Sequence, residues 1–279
     1  MKPFLFRNSR LFIFILLCVF AVQTQAQTVK ELRSQYSKCV RMEDYKCAEK
    51  HLKKLVEKAS PERIPIYYSD LGTVYRNLGK IDKSMDAYNK AIELDPKNID
   101  FYMNRAKLKT ANGDLIGAMT DCNSAIQINS EHVAARIHRS ELYKYQGKIA
   151  LAKKDLKAVL MVEPENFAVL TNLAILKKRE GKFEEAIADF KKLIESNPND
   201  ARLYNNLADI RVKLKMFNEA LEDINKAIAL DGKFAIAHAT KAEILFELNR
   251  TDEACENLNK SIALGLNIKL VGSLLEKCK

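Results

Sequence analysis

Tyr68, Leu71, Gly72 and Tyr75 are spaced i, i+3, i+4, i+7, which predicts a helix with one buried face. Ile81, Ser84, Met85, Tyr88, Ala91 and Ile92 predict a second helix by the same logic. Gly79 stands between the two, where the chain must leave its first helix at positive φ without a Cβ penalty. A helix, a tight turn and a second helix are thus read from 34 residues, and the pattern then recurs.

Gly79, Gly113, Gly147 and Gly181 stand 34 residues apart. Gly72, Ala106, Ser140, Ala174, Ala208 and Ala242 keep the same frame, and 12 residues after each come Ser84, Ala118, Ala152, Ala186, Ala220 and Ala254. Small residues fixed at two phases predict two helices whose backbones approach closely once in every unit. Six units follow without insertion: 65–98, 99–132, 133–166, 167–200, 201–234 and 235–268. Pro96, Pro164 and Pro198 close three of them, because proline cannot continue a helix interior. Lys215 and Asn249 take the glycine place in the last two units. Asn249 tolerates a left-handed conformation, whereas Lys215 is expected to strain or reshape its turn.

The residues Tyr68, Leu71, Gly72, Tyr75, Ser84, Tyr88, Ala91 and Pro96 fall at the signature positions of the tetratricopeptide repeat family. Only Ser84 departs, standing where alanine is usual. The chain resembles that family over about 200 contiguous residues. The resemblance implies an all-α fold, a right-handed α-solenoid of antiparallel helix hairpins. Residues 27–64 read as a degenerate hairpin that caps the amino end, with Tyr36 where a small residue is expected and a slip of two residues before Pro65. Residues 65–268 hold the six tandem units, and 269–279 are expected to form a terminal capping helix with Leu270, Leu274, Leu275 and Cys278 on its apolar side.

The amino end carries a different signal. Lys2, Arg7 and Arg10 precede an apolar run from Leu11 to Val22, followed by small Thr24 and Ala26. This describes a secretory signal peptide over 1–26, cleaved after Ala26, with an uncleaved anchor as the alternative. The run is shorter than the roughly 20 residues of a membrane span. Its removal takes the formal charge from +10 to +7, since three cations leave. The remaining excess is dispersed, with no basic run interleaved with aromatics, so nucleic acid is not an expected partner. A periplasmic or secreted destination follows, that of a Gram-negative bacterium suiting the signal best.

Chemistry is sparse. His51, His132, His138 and His238 each read as helix surface or core edge, with no metal-ligand spacing to another His or to Cys. No glycine-rich phosphate loop, nucleophile elbow or HExxH pattern occurs. No enzyme activity, cofactor or metal is expected.

The family resemblance instead implies a concave groove lined by the first helix of each unit. Carried over by position, that groove holds Asn104, Lys107, Lys144, Tyr145, Asn172, Lys178, Arg179, Arg202 and Asn206. Asn104, Asn172 and Asn206 share one phase, where an amide can donate to and accept from a peptide backbone. Lys107, Lys144, Lys178, Arg179 and Arg202 form a basic middle, with Glu243 and Glu247 as an acidic end. The family's carboxylate clamp of Lys, Asn, Asn, Lys and Arg is not expected: Asn104 fits one place, but Ser69, Thr73, Ala134 and His138 occupy the others. The expected function is a non-catalytic scaffold that binds a protein or peptide segment in the groove, outside the cytoplasm. The alternative is a structural subunit of an envelope or secretion complex, acting through its convex face and ends.

Five cysteines follow the signal segment. Antiparallel helices bring together residues equally distant from their turn. Cys39 and Cys47 flank Glu43 symmetrically, and Cys255 and Cys278 flank the junction of Leu266 and Asn267. Each pair is expected to bridge in an oxidising compartment, reduced core cysteines being the alternative. Cys122 is expected to be a buried thiol.

Overall fold

The computed structural model describes residues 28–278, so the signal segment 1–26 and its cleavage point lie outside the described residues. The described chain is all helix and turn, in consecutive hairpins. It divides into two compact units, one ending at Leu142 and the other starting at Tyr143.

The first unit contains α1 (28–41), α2 (Tyr45–Lys58), α3 (Ile64–Asn77), α4 (Ile81–Leu94), α5 (Ile99–Ala111), α6 (Leu115–Ile128) and most of α7 (Val133–Tyr145). Its first core joins Leu32 and Cys39 of α1, Ala48, Leu52 and Leu55 of α2, and Tyr67, Leu71 and Val74 of α3. The two-residue slip before the first full repeat is taken up by a 3-10 turn, Pro61–Arg63. Tyr36 of α1 does not act as the missing small residue; it hydrogen-bonds Asp70 on α3.

The crossing of α3 and α4 shows why the small residues recur. Tyr88 is fully buried, and a Cβ built on Gly72 would lie 2.5 Å from its ring. Ser84 accounts for its departure from alanine: its hydroxyl donates to the Gly72 carbonyl at 2.6 Å across the crossing. One hydroxyl thus fits the same gap and satisfies itself there. Next along, Ala106, Ala118, Cys122 and Leu142 form a cluster, which places the Cys122 thiol in the core and outside both cysteine pairs.

The second unit contains α8 (Ile149–Leu160), α9 (Phe167–Arg179), α10 (Phe183–Ser196), α11 (Ala201–Lys213), α12 (Phe217–Leu230), α13 (Ala235–Glu247), α14 (Thr251–Ala263) and the short α15 (Gly272–Leu275). Ala174 and Ala186 pack with Phe190, Leu203 and Ile210, and Ala208 and Ala220 with Ile224 and Ile244. The terminal segment expected as one helix is a 3-10 turn, Ile268–Leu270, then α15, then a second 3-10 turn, Glu276–Cys278. It nevertheless covers the last hairpin, with Val271, Leu274 and Leu275 against Ala242, Leu245, Ala254 and Leu258.

The hairpin turns are alike whatever residue occupies them. Gly79 has φ 70°, its amide donates to Arg76 O at 3.0 Å, and the Lys80 amide donates to Tyr75 O at 2.8 Å. Lys215 has φ 60°, with Lys215 N on Val212 O at 2.9 Å and Met216 N on Arg211 O at 2.8 Å. The lysine therefore leaves the turn unreshaped and carries the left-handed backbone cost itself. Glu43 repeats the geometry at φ 55°, confirming the turn of the first hairpin.

A second recurring device joins four of the repeats to the one before, Leu170 breaking the series in the 167–200 repeat. Tyr102 Oη donates to Pro96 O at 3.1 Å, Arg136 Nε to Ser130 O at 2.7 Å, and Tyr204 Oη to Pro198 O at 3.1 Å. His238 Nε2 reaches Gly232 O at 3.2 Å in the same frame. In each case a side chain one turn into the leading helix closes the inter-repeat loop beneath it.

Candidate functional site

Within each unit, hydrogen bonds between neighbouring leading helices show how their polar phases are wired. The twelfth residue of one repeat bonds the sixth residue of the next. Thr110 Oγ1 lies 2.9 Å from His138 Nε2, Lys144 Nζ donates to Asn172 Oδ1 at 2.7 Å, and Lys178 Nζ donates to Asn206 Oδ1 at 2.8 Å. All three pairs are 28 residues apart in sequence. Asn104 makes a related bond, its Nδ2 donating to Ser69 Oγ at 3.2 Å.

These amides are therefore committed before any partner arrives. Asn172 Nδ2 donates to Ala168 O at 3.0 Å and Asn206 Nδ2 to Arg202 O at 2.9 Å, so each amide is used at both ends. Lys178 also pairs with Asp209 at 2.8 Å, which offsets part of the expected positive charge. An ammonium has three hydrogens, so Lys178 retains one after its bonds to Asn206 and Asp209.

The remaining candidates differ in setting. Arg202 folds back on Asp200 at 2.7 Å, beside the start of α11, and that pairing holds the Asp200 carboxyl below its usual pKa. Arg179 is exposed at the last turn of α9, Lys107 is exposed on α5, and Tyr145 is 82% exposed at the end of α7. Thr171 Oγ1 and Asn205 Oδ1 occupy one phase in successive repeats of the second unit. Both atoms are buried without a hydrogen-bond partner. Buried polar atoms left unpaired are uncommon.

A second polar feature lies on α8, α9 and α10. Lys153, Lys157, Lys177, Lys182 and Lys192 line a cleft together with Leu160, Leu170, Leu173 and Leu193, and Glu185 and Asp189 in the same lining pair with Lys177. None of the Lys–Asn pair residues lines it.

Three of the four histidines have structural work. His132 Nδ1 accepts from Ala135 N at 3.1 Å at the start of α7, His138 bonds Thr110, and His238 lies between Gly232 O and Asn257 Oδ1. Burial pushes the pKa of His138 below its ordinary value. His51 differs, for its Nδ1 is buried with no hydrogen-bond partner. Its ring lies with Cys39 and Cys47, their ligand atoms all within 4.8 Å of one another. The sequence reading missed this group; Cys47 and His51 are four apart on α2, a spacing that puts them on one helix face.

The structure brings both expected cysteine pairs together, Cys39 with Cys47 and Cys255 with Cys278, each with Cα atoms 5.7 Å apart.

Two family models match this chain. One, described as a TPR repeat, matches residues 72–113 and 176–215; the other, described as a tetratricopeptide repeat, matches 201–234. The chain is built of tetratricopeptide repeats. A crystal structure of a tetratricopeptide repeat protein from Parabacteroides merdae is similar at a TM-score of 0.77 and 28% identity, over 90% of this chain and 99% of that one. The APC/C hetero-tetramer Cut9-Hcn1 shares the fold at a TM-score of 0.67 and 18% identity, over 87% of this chain and 51% of that one. Among curated proteins, Anaphase-promoting complex subunit 3 of Dictyostelium discoideum is 46% identical over 41 residues, which is 15% of this chain and 4% of that protein. Tetratricopeptide repeats bind protein or peptide partners. Among the described residues no helix is long and apolar enough to cross a membrane.

Proposed function

We propose that this tetratricopeptide repeat chain is a non-catalytic scaffold that holds a segment of a partner protein against its leading helices, in the periplasm. The carrying observation is the pair of Lys–Asn bridges, Lys144–Asn172 and Lys178–Asn206, on successive leading helices. They fix two ammonium groups in place, one repeat apart. Fixed cations at the repeat spacing suit an extended segment, which offers carbonyls at regular intervals. Arg179 and Tyr145 flank the bridges with charge and an exposed aromatic, a combination common in peptide-binding surfaces.

Export supplies the compartment, because the charged start, apolar run and small-residue exit of residues 1–26 have the form of a signal peptide. In that oxidising setting we assign the two cysteine pairs as disulfides that secure the first hairpin and the last.

The test is a pull-down from the envelope fraction with the wild-type chain and with Lys144→Glu, Lys178→Glu and Arg179→Glu combined. Loss of a specifically captured partner, with circular dichroism unchanged, supports the leading-helix face. Retention refutes it and favours a second reading, an assembly subunit docking through the outer helices. The cleft of mixed charge across α8, α9 and α10, away from the Lys–Asn bridges, is the observation that favours this alternative.

A further inference from the structure

His51 is the histidine whose buried Nδ1 has been given nothing to bind, in a chain where the other three each hold a neighbour. It sits one turn beyond Cys47 on α2, and Cys39 faces them from α1, with one ligand atom of each within 4.8 Å of the others. We propose that Cys39, Cys47 and His51, in the dithiol form of the chain, make a binding site for a thiophilic divalent cation of the Zn2+ kind.

The turn builds the site without needing the sulfurs joined. The Asp44 amide donates to Cys39 O at 2.9 Å, and the Asp44 carboxylate accepts from Cys47 N at 2.9 Å. One residue thus pins both cysteine backbones, while Glu43 at φ 55° reverses the chain between them. Tetrahedral zinc holds thiolates at about 2.3 Å, which separates two sulfurs by about 3.8 Å. Cα atoms 5.7 Å apart accommodate that spacing by side-chain rotation alone.

Charge is balanced as well. Two thiolates and a neutral imidazole neutralise a divalent ion, so the half-buried site acquires no net charge. Three protein ligands leave one position for water, as in open zinc sites. His51 would then gain the partner its buried nitrogen lacks.

The metal and the disulfide use the same two sulfurs and exclude each other. Opening the disulfide takes two electrons and two protons from a dithiol reductant, which becomes a disulfide in turn. Zinc binding then displaces one proton from each thiol and leaves the oxidation state unchanged. The first hairpin could thus be clasped in either state, by an S–S bond or by a cation.

The experiment uses the mature full chain, reduced and kept free of oxygen, in a Cys122→Ala, Cys255→Ser, Cys278→Ser background that removes the other thiols. Zn2+ is titrated against a chromophoric chelator, and Co2+ is added separately to read thiolate-to-cobalt charge transfer. One equivalent of each metal should bind, with the charge-transfer band present. Cys39→Ser should abolish the band. His51→Ala should weaken zinc by more than the roughly 10–100-fold cost of disturbing an outer-shell group. Oxidised His51→Ala, examined by circular dichroism and thermal unfolding, shows whether the variant folds. If it does not, His51→Gln is titrated in its place, since an amide is a poor zinc ligand of similar length. Absence of stoichiometric zinc overturns the proposal. So does zinc affinity undiminished in a folded His51 variant, or binding that survives alkylation of the thiols.

Discussion

Asp70 gives the sharpest quantitative test of how the first hairpin is joined to the repeats. Its carboxylate lies under α1, where burial raises its pKa from 3.8 to about 6 and the hydrogen bond from Tyr36 only partly opposes the rise. Burial and the facing carboxylate push the Tyr36 phenol upward in turn. A carboxyl whose folded pKa exceeds its unfolded value binds more protons when folded. Its contribution is therefore greatest below about pH 4 and is lost as pH rises through about 6. The gap of about two units, at 1.36 kcal/mol each, sets an upper bound of about 3 kcal/mol. Water reaching a partly exposed group reduces this to about 1–3 kcal/mol.

Asp70→Asn removes the titration but keeps an acceptor for Tyr36. The variant should match the wild type near pH 4 and exceed it by about 1–3 kcal/mol at pH 7.5. Other carboxylates change stability over the same range, so the informative quantity is the difference between the two curves. Urea unfolding followed by circular dichroism supplies the curves. Hydrogen exchange at α3 amides localises the effect, because repeat arrays open piecewise. Tyr36→Phe should have the opposite effect, removing the bond that favours the charged form and steepening the decline. Parallel curves for wild type and Asp70→Asn would refute the burial argument.

Other perturbations follow from the same geometry. Gly72→Ala places a methyl against the buried Tyr88 ring and should destabilise by about 1–3 kcal/mol in thermal or urea unfolding. Ala186→Leu should cost a similar amount, about 1–3 kcal/mol, while Ala188→Leu on the exposed side stays near neutral; equal effects would mean the register is misplaced. Lys215→Gly relieves a left-handed lysine and should stabilise by up to about 1 kcal/mol after the extra entropy of glycine, measurable as a raised urea midpoint. Asn172→Ala with Asn206→Ala should cost the second unit about 1–3 kcal/mol and weaken partner capture about tenfold, with helix content unchanged by circular dichroism.

The repeat frame was legible because backbone geometry fixed it. Gly79 and its equivalents mark positive φ, and Gly72 and Ala186 mark crossings that admit no larger side chain. Lys215 shows the limit of such reading, since neighbouring hydrogen bonds hold its turn and the residue conforms. The terminal segment was read as one helix because Leu270, Leu274 and Leu275 have helical spacing. Asn267 and Gly272 break it, Asn267 by capping the 3-10 turn through its side chain at Lys269 N. The face was legible only as positions. Periodicity told which residues share a phase, but not that Lys144 reaches Asn172 or that Arg202 turns back to Asp200. Those choices depend on side-chain length and on neighbours one repeat away.

If the proposed binding face is right, the Lys–Asn bridges connect stability with recognition. An amide already bonded at both ends offers a partner little without giving something up, so the asparagines serve chiefly to aim the lysines. Aiming matters because a lysine side chain otherwise loses considerable rotamer freedom on binding, of order 1.5–2 kcal/mol. In this chain that cost is met during folding, by bonds that also tie successive repeats. On the proposed reading, specificity then falls to what the bridges leave open, the residual ammonium hydrogen of Lys178, since Thr171 Oγ1 and Asn205 Oδ1 are buried. A carbonyl or carboxylate of a bound segment would accept that hydrogen from an ammonium that folding has already aimed.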